Sequence, residues 1–266
     1  MTMHDSGHDT PLHFEHAGDG PHVVLIHAGV ADSRMWDPQW AEWSKRFRMV
    51  RFDLRGFGQS PPAVGTFSFS GDLVRLLESL ELGPVTLIGV SLGGAVAMET
   101  TIARPDLVSR LVVVAPGLRG YAMSDETKAG WEEEEAALER GDVDGAVEVN
   151  MRMWVDGPSR SPEEVDPEVR AKVAEMQRRA IEIYLAAGEE GDHQPLLEDW
   201  GERLGEISVP TLVVVGDLDR PEMLQIADKL ESEIPGARRE TIHGAAHVPS
   251  MERPEEFDRI VLEFLS

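Results

Sequence analysis

Residues 85–94 (VTLIGVSLGG) decide the fold of this 266-residue chain. The first four are mostly apolar and β-branched, which is typical of a strand buried on both faces. Gly89, Ser91 and Gly93 follow in the spacing G-x-S-x-G, and residues 91–104 are small and apolar almost all round, which indicates a buried helix. The stretch therefore predicts a strand, a tight turn with Ser91 at its apex, and a helix.

This turn is typical of an exposed nucleophile. Strain at the apex lifts the serine hydroxyl above the sheet, and the flanking glycines let neighbouring chains pass closely. The helix N-terminus points amide groups at the same place, which favours a developing oxyanion. A glycine-rich turn with an incidental serine is the alternative interpretation. A dinucleotide-binding turn is excluded, because Gly89, Ser91 and Gly94 do not form G-x-G-x-x-G.

Other apolar runs predict the rest of a sheet. They occupy residues 22–26, 49–52, 111–114 and 211–215, and none of them alternates with polar residues. Helical periodicity appears between them; in residues 71–82, for example, Leu73, Leu76, Leu77 and Leu80 share one face. Alternating strands and helices favour an α/β fold with a doubly wound, mostly parallel sheet.

The alternation breaks between residues 121 and 206. Strand signals vanish, and three helical patterns follow at residues 126–140, 143–155 and 168–187. These 86 residues carry 24 acidic and 9 basic side chains, a net charge of −15 out of −24 for the whole chain. We therefore expect a helical cap over residues 121–206, inserted into a core domain formed by residues 1–120 and 207–266. The excess acid is interpreted as a solvated surface.

Composition excludes several function classes. The net charge of −24 repels nucleic acid and anionic membrane surfaces, and no run approaches 18 apolar residues. Without cysteine there is no disulfide, thiolate metal site or cysteine nucleophile. His4, His8, His13 and His16 lack the carboxylate cluster or H-E-x-x-H spacing of a metal site, so we expect no metal and a mobile tail. We also expect no signal peptide and a cytoplasmic protein.

A serine nucleophile needs a base and a carboxylate that orients it. Asp217 and Asp219 follow the predicted strand at residues 211–215, whereas His243 and His247 follow a β-like run at residues 239–242. Both pairs come at the carboxyl ends of strands, where ligand sites of open α/β sheets lie. The residues alone leave open which aspartate and which histidine act with Ser91.

The chain resembles the α/β-hydrolase fold serine hydrolases over essentially its whole length, in the branch of esterases and 3-oxoadipate enol-lactonases. In that fold the nucleophile, the acid and the base occur along the chain in the order serine, aspartate, histidine, which is also the order here. The resemblance implies that the acid is Asp219, three residues after Gly216, and that the base is His247, at the end of the turn G-x-x-H (residues 244–247). Residues 32–39 resemble the corresponding region of the enol-lactonases.

The same resemblance implies the oxyanion hole. One amide is that of Leu92, directly after the nucleophile. The usual motif H-G-x-P places the second amide at Gly29, although this chain reads HAGV at residues 27–30. We expect His27 to brace that loop. The turn at residues 53–60 (DLRGFGQS) matches D-x-R-G-x-G-x-S, and its Arg55 is interpreted as structural.

These residues predict hydrolysis of a small-molecule ester or lactone through an acyl-enzyme, without a cofactor. Carbon–carbon bond hydrolysis and cofactor-free perhydrolysis are alternatives with the same three side chains. A ligand-binding protein on a hydrolase scaffold is the non-enzymatic alternative. A homo-oligomer is compatible with the sequence. The side chains expected to contact substrate are Trp131, Met151, Trp154 and Val248.

Overall fold

A seven-stranded sheet forms the centre of the molecule. The computed structural model describes residues 12–188 and 191–266, and His4 and His8 lie outside that part. The strands are ordered β1-β3-β2-β5-β6-β8-β9; β1 is antiparallel to β3, and the other pairs are parallel. Their bounds are β1 Phe14–Ala17, β2 His22–Ile26, β3 Arg48–Phe52, β5 Val85–Val90, β6 Val108–Val114, β8 Thr211–Gly216 and β9 Arg238–Ile242, while β4 Thr66–Phe67 and β7 Asp192–His193 form a separate pair.

Helices connect the strands. In the described residues they are α1 Asp37–Trp43, α2 Phe69–Ser79, α3 Leu92–Ala103, α4 Asp125–Glu139, α5 Val143–Asn150, α6 Pro167–Ala187, α7 Pro221–Glu233, α8 Pro249–Glu252 and α9 Pro254–Leu265. None of the helices in this part of the chain is both long enough and apolar enough to cross a bilayer.

Two apolar cores cover the two faces of the sheet. In β2, Val23 and Leu25 belong to one core, and Val24 and Ile26 belong to the other. Successive side chains of a strand point to opposite faces, so a strand needs continuous apolar sequence when helices cover both sides. The predicted doubly wound α/β sheet is confirmed. The antiparallel edge strand β1 was not predicted, because only Phe14 of its four residues is buried.

The segment between β6 and β8 contains the three predicted helices α4, α5 and α6. The second ends earlier than its pattern indicates, because a π-helical turn, Met151–Asp156, follows α5. The expectation of no strand here was wrong: β7 pairs with β4. Two residues held by backbone hydrogen bonds leave no hydrophobic pattern.

The inserted helices share a core with the sheet. Val147, Met151 and Val173 belong to the same apolar cluster as Val23 of β2 and Trp36. The apolar faces of α5 and α6 therefore pack continuously with the residues above the sheet. The boundaries of the cap at residues 121 and 206 remain a prediction.

Candidate active site

Ser91 occupies a strained turn between β5 and α3. Its backbone has φ 52° and ψ −112°, a conformation rare for a residue with a side chain. A Cβ atom at Gly89 would lie 2.2 Å from the Gly93 carbonyl oxygen, and one at Gly93 would lie 2.5 Å from that of Ile26. Glycine is therefore required at both positions. The turn is fixed by the Ser91 amide, which donates to the Val114 carbonyl of β6 at 2.8 Å.

Asp219 and His247 form a buried pair in the loops after β8 and β9. The distance between His247 Nδ1 and Asp219 Oδ2 is 2.9 Å, and the two residues are 2% and 3% exposed. The other oxygen, Asp219 Oδ1, accepts the Arg220 amide at 2.7 Å. A carboxylate only accepts hydrogen bonds, so Nδ1 of His247 carries the proton and Nε2 is left as an acceptor. This is the arrangement that a general base requires.

The rival residues, Asp217 and His243, pair with each other instead. His243 Nδ1 lies 2.8 Å from Asp217 Oδ2, and Asp217 Oδ1 accepts the Gly244 amide at 2.7 Å. The hydrogen bond that His243 donates to Asp217 raises the pKa of His243, whose side chain is 79% exposed. This pair therefore binds the two loops together at the surface.

His27 braces the loop after β2. Its Nε2 accepts the Leu54 amide at 2.9 Å, and Nδ1 lies 2.8 Å from the Ala28 carbonyl oxygen. Burial lowers the pKa of this fully enclosed imidazole. Gly29, two residues further on, is adjacent to Leu92, since a Cβ atom at Gly29 would lie 3.7 Å from the Leu92 Cβ. The structure thus brings both expected oxyanion residues together.

The turn at residues 53–60 joins the segment at residues 32–39. Asp53 accepts the Ser33 amide at 2.8 Å and the Gln59 amide at 2.8 Å. Arg55 binds the buried Asp72 through two hydrogen bonds of 2.9 Å. Both side chains are thus engaged in joining neighbouring segments, which supports the structural interpretation of Arg55.

Ser91 lies where two cavities meet. The first, which we call the polar compartment, has a volume of about 240 Å³. It is lined by Gly29, Val30, Ser91, Trp131, Glu134, Asn150, Trp154, Gln177 and His247. The second, the apolar compartment, has a volume of about 390 Å³ and shares Ser91, Trp131 and Trp154 with the first. Apolar side chains of α3, the segment at residues 117–123 and α7 form most of its lining, which also includes Glu99, Arg119 and His193.

Trp154 links the inserted segment to the histidine. Its ring centroid lies 4.6 Å from that of His247, and its carbonyl oxygen accepts the His247 amide at 3.3 Å. The π-helical turn therefore contacts both the side chain and the backbone of His247.

Of the four side chains expected to contact substrate, two line the compartments and two do not. Trp131 and Trp154 line both compartments. Met151 and Val248 line neither; both are 0% exposed and pack in the apolar core. Helical spacing identifies an apolar face, but it does not distinguish a face that packs on neighbouring side chains from one that borders a cavity.

Three polar residues of the polar compartment were not predicted. They are Glu134 of α4, Asn150 of α5 and Gln177 of α6. A sequence signal existed for two of them. Glu134 follows Trp131 by three residues, on the same face of α4. Gln177 interrupts an otherwise apolar stripe of α6 that includes Val173 and Ile181, and a polar residue in such a stripe indicates a site.

Comparison with known proteins places these features in a family. A family model described as the alpha/beta hydrolase fold matches residues 21–254. Carboxylesterase YbfK of Bacillus subtilis is 27% identical over 253 residues, covering 93% of this chain and 81% of that protein. A 2-hydroxy-6-oxononadienedioate/2-hydroxy-6-oxononatrienedioate hydrolase of Klebsiella pneumoniae is 26% identical, covering 100% and 94%.

Solved structures agree. The enol-lactonase of Burkholderia xenovorans LB400 superposes with a TM-score of 0.78 at 24% identity, over 96% of each chain, which shows a common fold. A thermophilic esterase of Thermogutta terrifontis gives a TM-score of 0.76 at 27% identity, over 100% of this chain and 98% of that one. The family match spans most of this chain, and the two sequence relatives described above are a carboxylesterase and another hydrolase. The chain belongs to the alpha/beta hydrolase fold family and is a hydrolase.

Proposed function

We propose that this hydrolase cleaves a small carboxylic ester or lactone, with Ser91 as nucleophile, His247 as general base and Asp219 as its orienting acid. The observation that carries the proposal is the buried Asp219–His247 pair at 2.9 Å, with His247 lining the same compartment as the strained Ser91. Packing alone does not explain why the chain holds both a strained backbone at Ser91 and a hydrogen bond that orients the His247 imidazole.

The reaction proceeds in two steps. His247 Nε2 takes the Ser91 hydroxyl proton as Oγ attacks the substrate carbonyl, and it then protonates the leaving alkoxide. Water then attacks the acyl carbonyl carbon and gives a proton to the same nitrogen. His247 returns that proton to Ser91 Oγ as the Ser91–acyl bond breaks and the carboxylic acid leaves. Asp219 keeps Nδ1 protonated throughout and stabilises the imidazolium.

The oxyanion binds between two backbone amides. Leu92 is the first residue of α3, and Gly29 lies beside it. Amides held by a helix N-terminus and by a braced loop need no reorganisation when negative charge develops. The two compartments, which meet at Ser91, accept the acyl and the alcohol portions of the substrate.

The charge of the polar compartment favours hydrolysis of an ester over hydrolysis of a carbon–carbon bond. One relative is named for a substrate that is a dioate, which carries two carboxylates. Among the described residues, those lining the polar compartment include Glu134 but no Lys or Arg. Binding a carboxylate there would place two acids together in one compartment.

Labelling with a fluorophosphonate, followed by intact-mass measurement, tests the nucleophile. We expect a single adduct on the wild type and none on Ser91→Ala. Ser232→Ala, which alters an exposed serine of α7, is the matched control and should label fully. Hydrolysis of p-nitrophenyl acetate, butyrate and octanoate then measures turnover. Absence of both label and turnover would contradict the proposal and favour a ligand-binding protein.

A further inference from the structure

Three inserted helices each contribute one polar side chain to the wall of the polar compartment. Glu134 comes from α4, Asn150 from α5 and Gln177 from α6. Asn150 Nδ2 donates to Glu134 Oε1 at 2.7 Å and to the Ala146 carbonyl at 3.0 Å. Asn150 thus anchors the carboxylate in the compartment.

Gln177 borders the compartment, but its side-chain oxygen is not available to a ligand. The residue is 6% exposed, and its Oε1 atom has no hydrogen-bond partner among the described residues. Buried polar atoms are nearly always paired, because an unpaired one costs about 1–3 kcal/mol. The Oε1 atom is itself buried, so a ligand in the compartment does not reach it.

Among the described residues, no basic side chain pairs with Glu134. Burial raises the pKa of Glu134, and the hydrogen bond from Asn150 opposes that rise. The nearest cavities do contain arginines, but both are already bound. Arg55, in a cavity that Glu134 and Gln177 also border, pairs with Asp72. The arginine of the apolar compartment, Arg119, pairs with Glu198.

Two indole rings complete the compartment. Trp131 and Trp154 line it together with Glu134 and Gln177. The faces of tryptophan rings attract cations, most strongly where water is excluded. A carboxylate and two indoles together match a group that carries positive charge and N–H donors.

We propose that the polar compartment binds a primary ammonium group of the substrate, which hydrogen-bonds to Glu134 beside Trp131 and Trp154. The inference rests on the proposed ester hydrolysis and names its substrate class: an ester with an ammonium on one side of the scissile bond and an apolar portion on the other. The apolar compartment holds that second portion.

Two matched pairs of esters test this charge selectivity at pH 7. The first pair, 4-(aminomethyl)phenyl acetate and 4-ethylphenyl acetate, differs by an ammonium in place of a methyl group on the alcohol side. Methyl 4-(aminomethyl)benzoate and methyl 4-ethylbenzoate make the same change on the acyl side. In at least one pair we expect kcat/KM of the wild type to favour the ammonium ester about tenfold.

Glu134→Gln removes the charge and keeps the acceptor for Asn150. We expect it to reduce the ammonium preference about tenfold, whereas a purely structural role would lower both kcat/KM values together. Glu135→Gln removes the same charge from an exposed position of α4 and should leave the preference unchanged. Preference for the neutral ester in both pairs, or an unchanged preference in Glu134→Gln, overturns the proposal.

Calorimetry on Ser91→Ala separates this proposal from the proposed reaction. Benzylammonium should bind more tightly than benzyl alcohol to this variant, and Glu134→Gln in the same background should remove the difference. Ammonium binding without any ester turnover would refute ester hydrolysis and leave the ammonium site standing. Turnover with equal binding of the two probes would refute the ammonium site alone.

Discussion

Replacing Asp219 by Asn should abolish catalysis by inverting the histidine tautomer. The structure decides which way the new amide faces. Its oxygen stays toward the Arg220 amide, which Asp219 Oδ1 accepts at 2.7 Å, because turning NH₂ toward that N–H would leave two buried donors opposed. The NH₂ group then faces His247 Nδ1, so the imidazole proton moves to Nε2. A protonated Nε2 cannot take the Ser91 proton.

The expected loss in kcat is about 10⁴-fold, as for the same change in a serine protease triad, which corresponds to about 5 kcal/mol of activation free energy. Initial rates with p-nitrophenyl butyrate, alongside a thermal melt, measure the effect apart from folding. Asp217→Asn is the matched control, since its partner His243 is exposed, and it should change kcat less than twofold. Retention of a tenth of wild-type kcat by Asp219→Asn would refute this reasoning, as would an equal loss in the control.

Three further predictions concern the scaffold. Gly93→Ala places a Cβ atom 2.5 and 2.6 Å from two backbone carbonyl oxygens and should lower the Tm by several degrees, whereas Gly29→Ala, with no neighbour nearer than 3.7 Å, should melt like wild type. Arg170→Met removes both hydrogen bonds to the buried Asp156 and should cost on the order of 3 kcal/mol in urea unfolding; a loss below 1 kcal/mol would contradict this role of Arg170. Because burial lowers the pKa of His27, NMR should find it titrating below its ordinary value of 6.5. The unfolded chain then takes up a proton below pH 6.5 that the folded chain does not, so stability falls as pH falls through that range, and a titration at or above 6.5 would be the contrary result.

Local sequence determines the sheet and the turns, which is why these were predictable. The continuous apolar runs of β2, β5 and β8 have one stable environment, the interior of a covered parallel sheet. The Ser91 turn is fixed by glycines at set spacings. Asp219 and His247 come directly after β8 and β9, so the two parallel strands place them at the same edge of the sheet. The choice of Asp219 over Asp217 depended on the resemblance to the hydrolase family.

The substrate cavity was not predictable in the same way. It is formed where α4, α5 and α6 approach the loops above the sheet, and no local pattern encodes that approach. Met151 and Trp154 lie three residues apart in one apolar stretch, yet one is core and the other borders the cavity. Glu134 and Gln177 acquire their role only through a contact between distant segments.

The π-helical turn has a consequence for how such a protein diversifies. Its Trp154 lines the polar compartment and also contacts His247 through its ring and its backbone. Immediately after it, Gly157 (φ 73°) passes so close to the loop before Asp219 that a Cβ atom would lie 2.6 Å from the Leu218 carbonyl oxygen. Mutations that widen substrate range at this turn therefore also disturb the base and its acid. In a directed-evolution library at this turn, variants with a wider substrate range should have a lower kcat. Variants at Glu134 and Gln177 leave the contacts of Trp154 with His247 unchanged.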